Sequence, residues 1–237
     1  TGDRLASLST TAVKALTTDQ LHALTSTQLR AIELGDLAAI TPAKLATLGS
    51  EQIAALTTAQ VDALTSAQFT GLTTAQTAAL TTAQLAALDA GTLAQLGTAA
   101  FAGFSSAQVA ALRPDQISAM ETADLVALGT AQIRALSSTQ LAALDANQLG
   151  ALTSDQLRAL TATQVRALTV DEMTGLSSAD LGAFTSTQLQ ALSTTQLEGL
   201  SAEQMNGLSS AQMAALSVAQ FASLDPAKLA ALGTAQI

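Results

Sequence analysis

The 237-residue chain has no cysteine, no tryptophan and no tyrosine, and aromatics amount to 2% of it, all of them the five phenylalanines. Without cysteine there are no disulfides, no thiolate metal sites and no cysteine nucleophile. Charge is also scarce: 11% of residues are ionised, nine basic against eighteen acidic, with a single histidine, His22. A net charge of −9 argues against nucleic acid, whose phosphates demand clustered Lys and Arg, and against electrostatic docking on an anionic membrane. Long apolar runs are missing, because Ser, Thr or Gln interrupts every few residues. No segment therefore reaches the ~18 residues of a membrane span, and membrane insertion is not expected. Yet 49% of the chain is hydrophobic, too much for a disordered segment. The opening Thr1-Gly2-Asp3-Arg4 carries neither Met nor a signal-peptide pattern and reads as part of something longer.

What is present is a repeat. In steps of eight from Leu8 to Leu232, all twenty-nine positions are Leu, Ile, Phe or Met. The parallel series from Val13 to Ile237 is apolar at all twenty-nine positions except Thr77. No insertion breaks the register. The unit, as in Leu80-Thr81-Thr82-Ala83-Gln84-Leu85-Ala86-Ala87, is numbered one to eight from the first apolar residue. Residues 1–7 form a leading segment or partial repeat, and 8–237 a continuous array of twenty-nine octads, the last incomplete. No linker or domain boundary shows in it.

An unbroken helix cannot satisfy this period. Eight residues at about 100° each leave a drift of about 80° per octad, and the apolar positions would wander round the surface. A strand fails too, since positions one and six fall on opposite faces of a pleat. A short helix restarted in every octad fits. Position two is Ser, Thr, Asp or Gly in twenty-six octads, the exceptions being Glu33, Arg113 and Glu121, and suits an N-cap. Position five is Gln in twenty, which completes the Ser/Thr-x-x-Gln capping box. Positions one and six then become the two halves of a hydrophobic staple.

Two patterns agree with this frame. Pro42, Pro114 and Pro226 all stand at position three, the first helical residue, where a missing N–H costs nothing. Fifteen acids of the array lie at positions two, four or five, while Lys14, Arg30, Arg134, Arg158 and Arg166 lie at position seven; both biases suit the peptide dipoles of a helix. Helices this short are well below the ~12–15 residues that are marginal alone in water, so stability must come from stacking. Position eight is Ala or Gly except at Thr47, Gln95 and Ser223, which lets helices approach closely. The expected fold is all-α: a tight α-solenoid of capped helices, one per octad, with positions one and six inside, eight at helix contacts, and three, four and seven toward water.

Little here points to chemistry. His22 stands at position seven without partner ligands and reads as a surface residue. Adjacent Asp171 and Glu172 raise the possibility of weak calcium binding, but no EF-hand loop or Gly-Gly-x-Gly-x-Asp repeat accompanies them. The abundant Ser and Thr serve as caps and lack a general base. Met120, Met173, Met205 and Met213 all fall on apolar rows, as core filler does. No catalytic, cofactor or metal-binding residue is assigned, no cofactor is expected, and the chain is not expected to be an enzyme. Thr77 reads as a local defect of the core row, with a hinge or ligand notch as the alternative.

The phrase Leu-Thr-Thr-Ala-Gln-Leu-Ala-Ala, found at 80–87 and nearly repeated at 56–63 and 136–143, resembles octapeptide arrays of giant secreted or surface proteins of proteobacteria, described as adhesin-like or haemagglutinin-like. The resemblance covers residues 8–237. It implies an extracellular or cell-surface stalk that spaces or presents flanking domains of a longer chain. A binding module for a glycan, ice, a protein partner or itself is the alternative; end-to-end or lateral self-association belongs with it. For a regular ligand position seven would be uniform. Instead it varies from His22 through Asp62, Val126 and Glu198 to Asn206, which favours the spacer.

Overall fold

The computed structural model describes residues 8–233; the leading segment 1–7 lies outside the described residues, as does 234–237. Among the described residues there are twenty-eight helices of four to six residues and no strand. Each helix occupies one octad. The all-α solenoid of very short capped helices is thus what the chain forms. It divides into two compact units, Thr1–Ala119 and Met120–Ile237, although the octad register passes through Met120 without a break.

Most helices start where the hydroxyl residues stand, and the rest at the same octad position. At Thr81, for example, φ −71° and ψ 158° are extended, and its Oγ1 accepts from the Gln84 N–H at 3.2 Å. The Gln84 Oε1 accepts in return from the Thr81 N–H at 2.7 Å. Pro42, Pro114 and Pro226 each open a helix. The corner between helices takes two extended residues in many octads. In the octad of Leu80, that residue also has extended backbone (φ −57°, ψ 133°) before the Thr81 cap, and its N–H donates back to the Thr77 carbonyl at 3.2 Å. No residue, glycine included, has positive φ among those described. This explains why the chain needs no glycine at its helix ends: an extended corner admits Leu and Thr without strain.

Within each unit, helices pack on those three octads before and after them. Thr82–Ala87 packs against Thr58–Asp62 and Ser106–Ala111 in the first unit; Ser154–Ala159 packs against Thr130–Ala135 and Ser178–Ala183 in the second. Side-chain bonds span 25 to 31 residues, so within each unit one coil of the solenoid takes between three and four octads. Position six is buried at every octad from Val13 to Met213, and position one at every octad from Ile32 to Leu208 except Leu72. Positions three, four and seven are mostly exposed. Position eight does permit close approach, but to the coil above or below rather than to the next helix in sequence. A Cβ added at Gly175 would run into the Ala146 carbonyl, and one at Gly207 into that of Ser178.

Thr77 is 1% exposed, and its Oγ1 donates to the Thr74 carbonyl at 3.0 Å. With Phe69, Leu96 and Ala100 it lines a shallow groove of about 180 Å³. Helix Thr74–Ala79 is otherwise like its neighbours and makes the same reciprocal cap, so Thr77 is a satisfied local defect.

Candidate functional site

The recurrent buried polar feature is the glutamine at position five, present in twenty of the twenty-nine octads. The helix start fixes its backbone at the third helical residue, so its side chain can turn back to the cap. Burial beside the apolar rows then fixes the rest. Gln164 is 3% exposed. Its Oε1 accepts from the Thr161 N–H at 2.7 Å, while its Nε2 donates to two carbonyls of the preceding coil, Ile133 at 2.9 Å and Leu136 at 2.8 Å. One amide group therefore closes its own helix start and stitches it to the corner of an earlier octad. The separations repeat: Gln60 reaches Leu29 and Ile32, Gln116 reaches Leu85 and Leu88, Gln188 reaches Leu157 and Leu160, always 31 and 28 residues back. Among the described residues no buried side-chain nitrogen or oxygen lacks a partner.

Sequence reasoning identified only the half of this group that closes the helix. The signal for the other half was present. Glu completes a capping box as well as Gln does, yet Glu occupies position five only at Glu172. Only an amide brings two donors as well as the acceptor, and the corner carbonyls require donors. The substitutes divide the task. Lys44 Nζ donates to the Lys14 carbonyl at 2.8 Å, and Lys228 Nζ to that of Glu198, keeping the inter-coil bond and abandoning the reciprocal cap. Glu172 keeps the cap, its Oε2 accepting from the Thr169 N–H at 2.7 Å. Basic residues at position seven also do more than complement a dipole: Arg30 Nε donates to the Ala55 carbonyl at 2.7 Å, 25 residues on.

The residues weighed for chemistry are dispersed. His22 is exposed, and its carbonyl accepts from Gln52 Nε2. Asp171 is exposed while Glu172 is buried on its capping task, so the two carboxylates do not converge. Among the described residues no three His, Asp or Glu side chains are placed to hold a metal ion. Met120, Met173, Met205 and Met213 are all in the core. No described helix is long and apolar enough to cross a membrane. Burial raises the pKa of Asp124, with the nearby Glu121 charge adding to it and a backbone hydrogen bond opposing. The hydrogen bond from Arg113 lowers that of Asp115 at the surface, and that from the Thr92 hydroxyl lowers that of Asp89.

A regular array whose buried amides join one coil to the next defines a structural repeat module. The model of the ALTTAQ repeat family matches it six times, at residues 1–32, 29–66, 86–120, 117–154, 144–178 and 173–210, and the chain belongs to that family. Ala55-Leu56-Thr57-Thr58-Ala59-Gln60 and Ala79-Leu80-Thr81-Thr82-Ala83-Gln84 spell the motif in full. No curated protein matches the chain.

Proposed function

We infer that this array is a non-enzymatic spacer of a large bacterial extracellular or cell-surface protein, holding other domains of a longer chain apart. The observation that carries this reading is the inter-coil glutamine row. Among the described residues every buried polar side chain except Thr77 stands at position five, and glutamines such as Gln156, Gln164 and Gln196 are occupied in joining coils. A solenoid built of nearest-neighbour contacts lengthens with each unit added and does not round up into a globule. The resemblance to arrays of adhesin-like surface proteins supports the extracellular placement. The varied position-seven row supports a spacer over a binder of a periodic ligand.

Small-angle scattering on chains lengthened by whole octads tests the architecture. A spacer requires the maximum dimension to rise linearly with octad number; a compact radius growing with the cube root of mass would refute it. Placement is tested separately, by antibodies against the exposed position-seven row applied to intact cells. Surface labelling is expected, and labelling only after lysis would count against a surface stalk.

A further inference from the structure

One inner octad carries neither half of the capping box. Residues 96–103 have Gly97 at the cap position and Ala100 at position five, and no side-chain hydrogen bond closes the start of helix Thr98–Gly103. Elsewhere a glycine cap is served by glutamine, as Gly49 is by Gln52, whose Oε1 accepts at 2.9 Å. The register fixes what a glutamine at position 100 would reach: the carbonyls 31 and 28 residues back, those of Phe69 and Leu72. Among the described residues the Leu72 carbonyl meets no donor, and that of Phe69 has only the Leu72 N–H at 3.2 Å. The Gly97 N–H likewise meets no acceptor among them. Phe69, Leu72 and Gly97 line, with Ala100, the groove of about 180 Å³ that Thr77 borders. Leu72 is also the one position-one residue between Ile32 and Leu208 that is not buried. All of these residues lie inside the first unit, with described octads before and after them, so the gap in the glutamine row is set by the residues at 97 and 100 themselves.

We propose that this groove binds a primary carboxamide, the group that other octads supply from their own chain. Its oxygen accepts from the Gly97 N–H, and its nitrogen donates to the Phe69 and Leu72 carbonyls. Gln164 makes the same three bonds, to the Thr161 N–H and to the Ile133 and Leu136 carbonyls. The carbon end of the ligand rests on Phe69, Leu96 and Ala100. Hydrogen-bonding capacity sets the class. A carboxylate has no donor for the two carbonyls. An ammonium, which Lys44 uses on the Lys14 carbonyl, has no acceptor for the N–H, whereas a primary amide brings both. The acceptors stand a coil earlier, at residues 69 and 72, so the groove and not the helix start makes the site. A free carboxamide and the Asn or Gln side chain of a partner share this chemistry. The proposal goes beyond the spacer reading and does not depend on it.

Amide NMR shifts of the intact 237-residue chain test this with acetamide, which supplies the atoms that Ala100 lacks relative to glutamine. Saturable shifts are expected at Gly97 and at Thr70 and Thr73, whose N–H groups adjoin the two carbonyls, with a millimolar dissociation constant as suits so small a ligand. N,N-dimethylacetamide, which has no donor, and methylammonium, which has no acceptor, should produce no saturable shift there. Ala100→Gln provides the group from within. It should abolish the acetamide shifts and slow exchange of the Gly97 N–H; helical circular dichroism confirms that the variant folds, and the wild-type titrations stand without it. A short glutamine peptide separates the two sources. Tighter binding than acetamide, lost when its Gln is exchanged for Glu, assigns a partner's side chain, and no gain over acetamide assigns a free carboxamide; both keep the site. The absence of any saturable shift with acetamide up to about 100 mM overturns the proposal. So does equal binding of dimethylacetamide or methylammonium, and so does undiminished acetamide binding by the Ala100→Gln chain.

Discussion

At the scale of the residue, the chain depends on the difference between an amide and a carboxylate. Both close a helix start, but only the amide also donates to the preceding coil. Gln164→Glu should therefore cost about 2–4 kcal/mol at neutral pH, because it exchanges two donated bonds for a buried charge facing carbonyls. Thr161→Ala, which removes only the hydroxyl cap, should cost about 1 kcal/mol. Chemical denaturation measures both, and a silent Glu variant would remove the inter-coil role. The native chain contains a related case. Burial raises the Asp124 pKa, so its folded form favours the proton more than the unfolded chain does. Stability is then greatest below the ordinary carboxylate pKa near 4 and declines as pH rises through the raised one. Asp124→Asn should stabilise at neutral pH, with the gain vanishing in acid; urea midpoints at several pH values provide the check. Thr77→Leu fills a void of the core row and replaces a hydroxyl whose only bond is local, so it should raise the melting temperature, by about 1 kcal/mol in stability.

At the scale of the element, the helices are too short to stand alone, and their ends do most of the structural work. The helix starts were legible because capping is a local code: a hydroxyl, two fillers, an amide, flanked by apolar residues. The corners were not. The octad pattern marks only the cap residue, whereas in octads such as that of Leu80 the apolar residue before the cap is extended too. Nothing in a leucine announces this, since its extended backbone is ordinary. Helix contacts were legible as small residues at position eight, but not as contacts between coils. Gly175 and Gly103 separate the two ideas. Both end their octads, yet an alanine at 175 would strike the Ala146 backbone, while at 103 its nearest neighbour is the Ala78 Cβ at 4.0 Å. Gly175→Ala should destabilise by more than 2 kcal/mol, about the cost of overpacking. Gly103→Ala should be neutral or stabilising by about 0.5–1 kcal/mol, through backbone entropy. Equal effects on thermal unfolding would mean that close approach does not matter.

At the scale of the whole molecule, stability within each unit is shared between neighbouring coils, so octads with fewer inter-coil bonds should open more readily. Gln20 and Gln28 bond to no upstream coil among the described residues, while Gln60 through Gln84 each bond to one. Hydrogen exchange should accordingly show amides of octads near Leu24 and Leu216 opening faster than those near Leu64 and Leu168, the centres of the two units. Uniform protection along the chain would contradict a nearest-neighbour array.

The amino-acid sequence by itself determined where each helix begins, which two rows are buried and that the units are repeated without interruption. Those features follow from interactions within eight residues, between side chains and the backbone that carries them. Only the tertiary structure decided how many octads complete a coil, and hence which carbonyls Gln164 meets. That choice rests on how far each extended corner turns the chain, about a quarter to a third of a full circle per octad. Summed over three to four octads, it brings residues 25 to 31 apart into contact, and no local pattern of side chains encodes it.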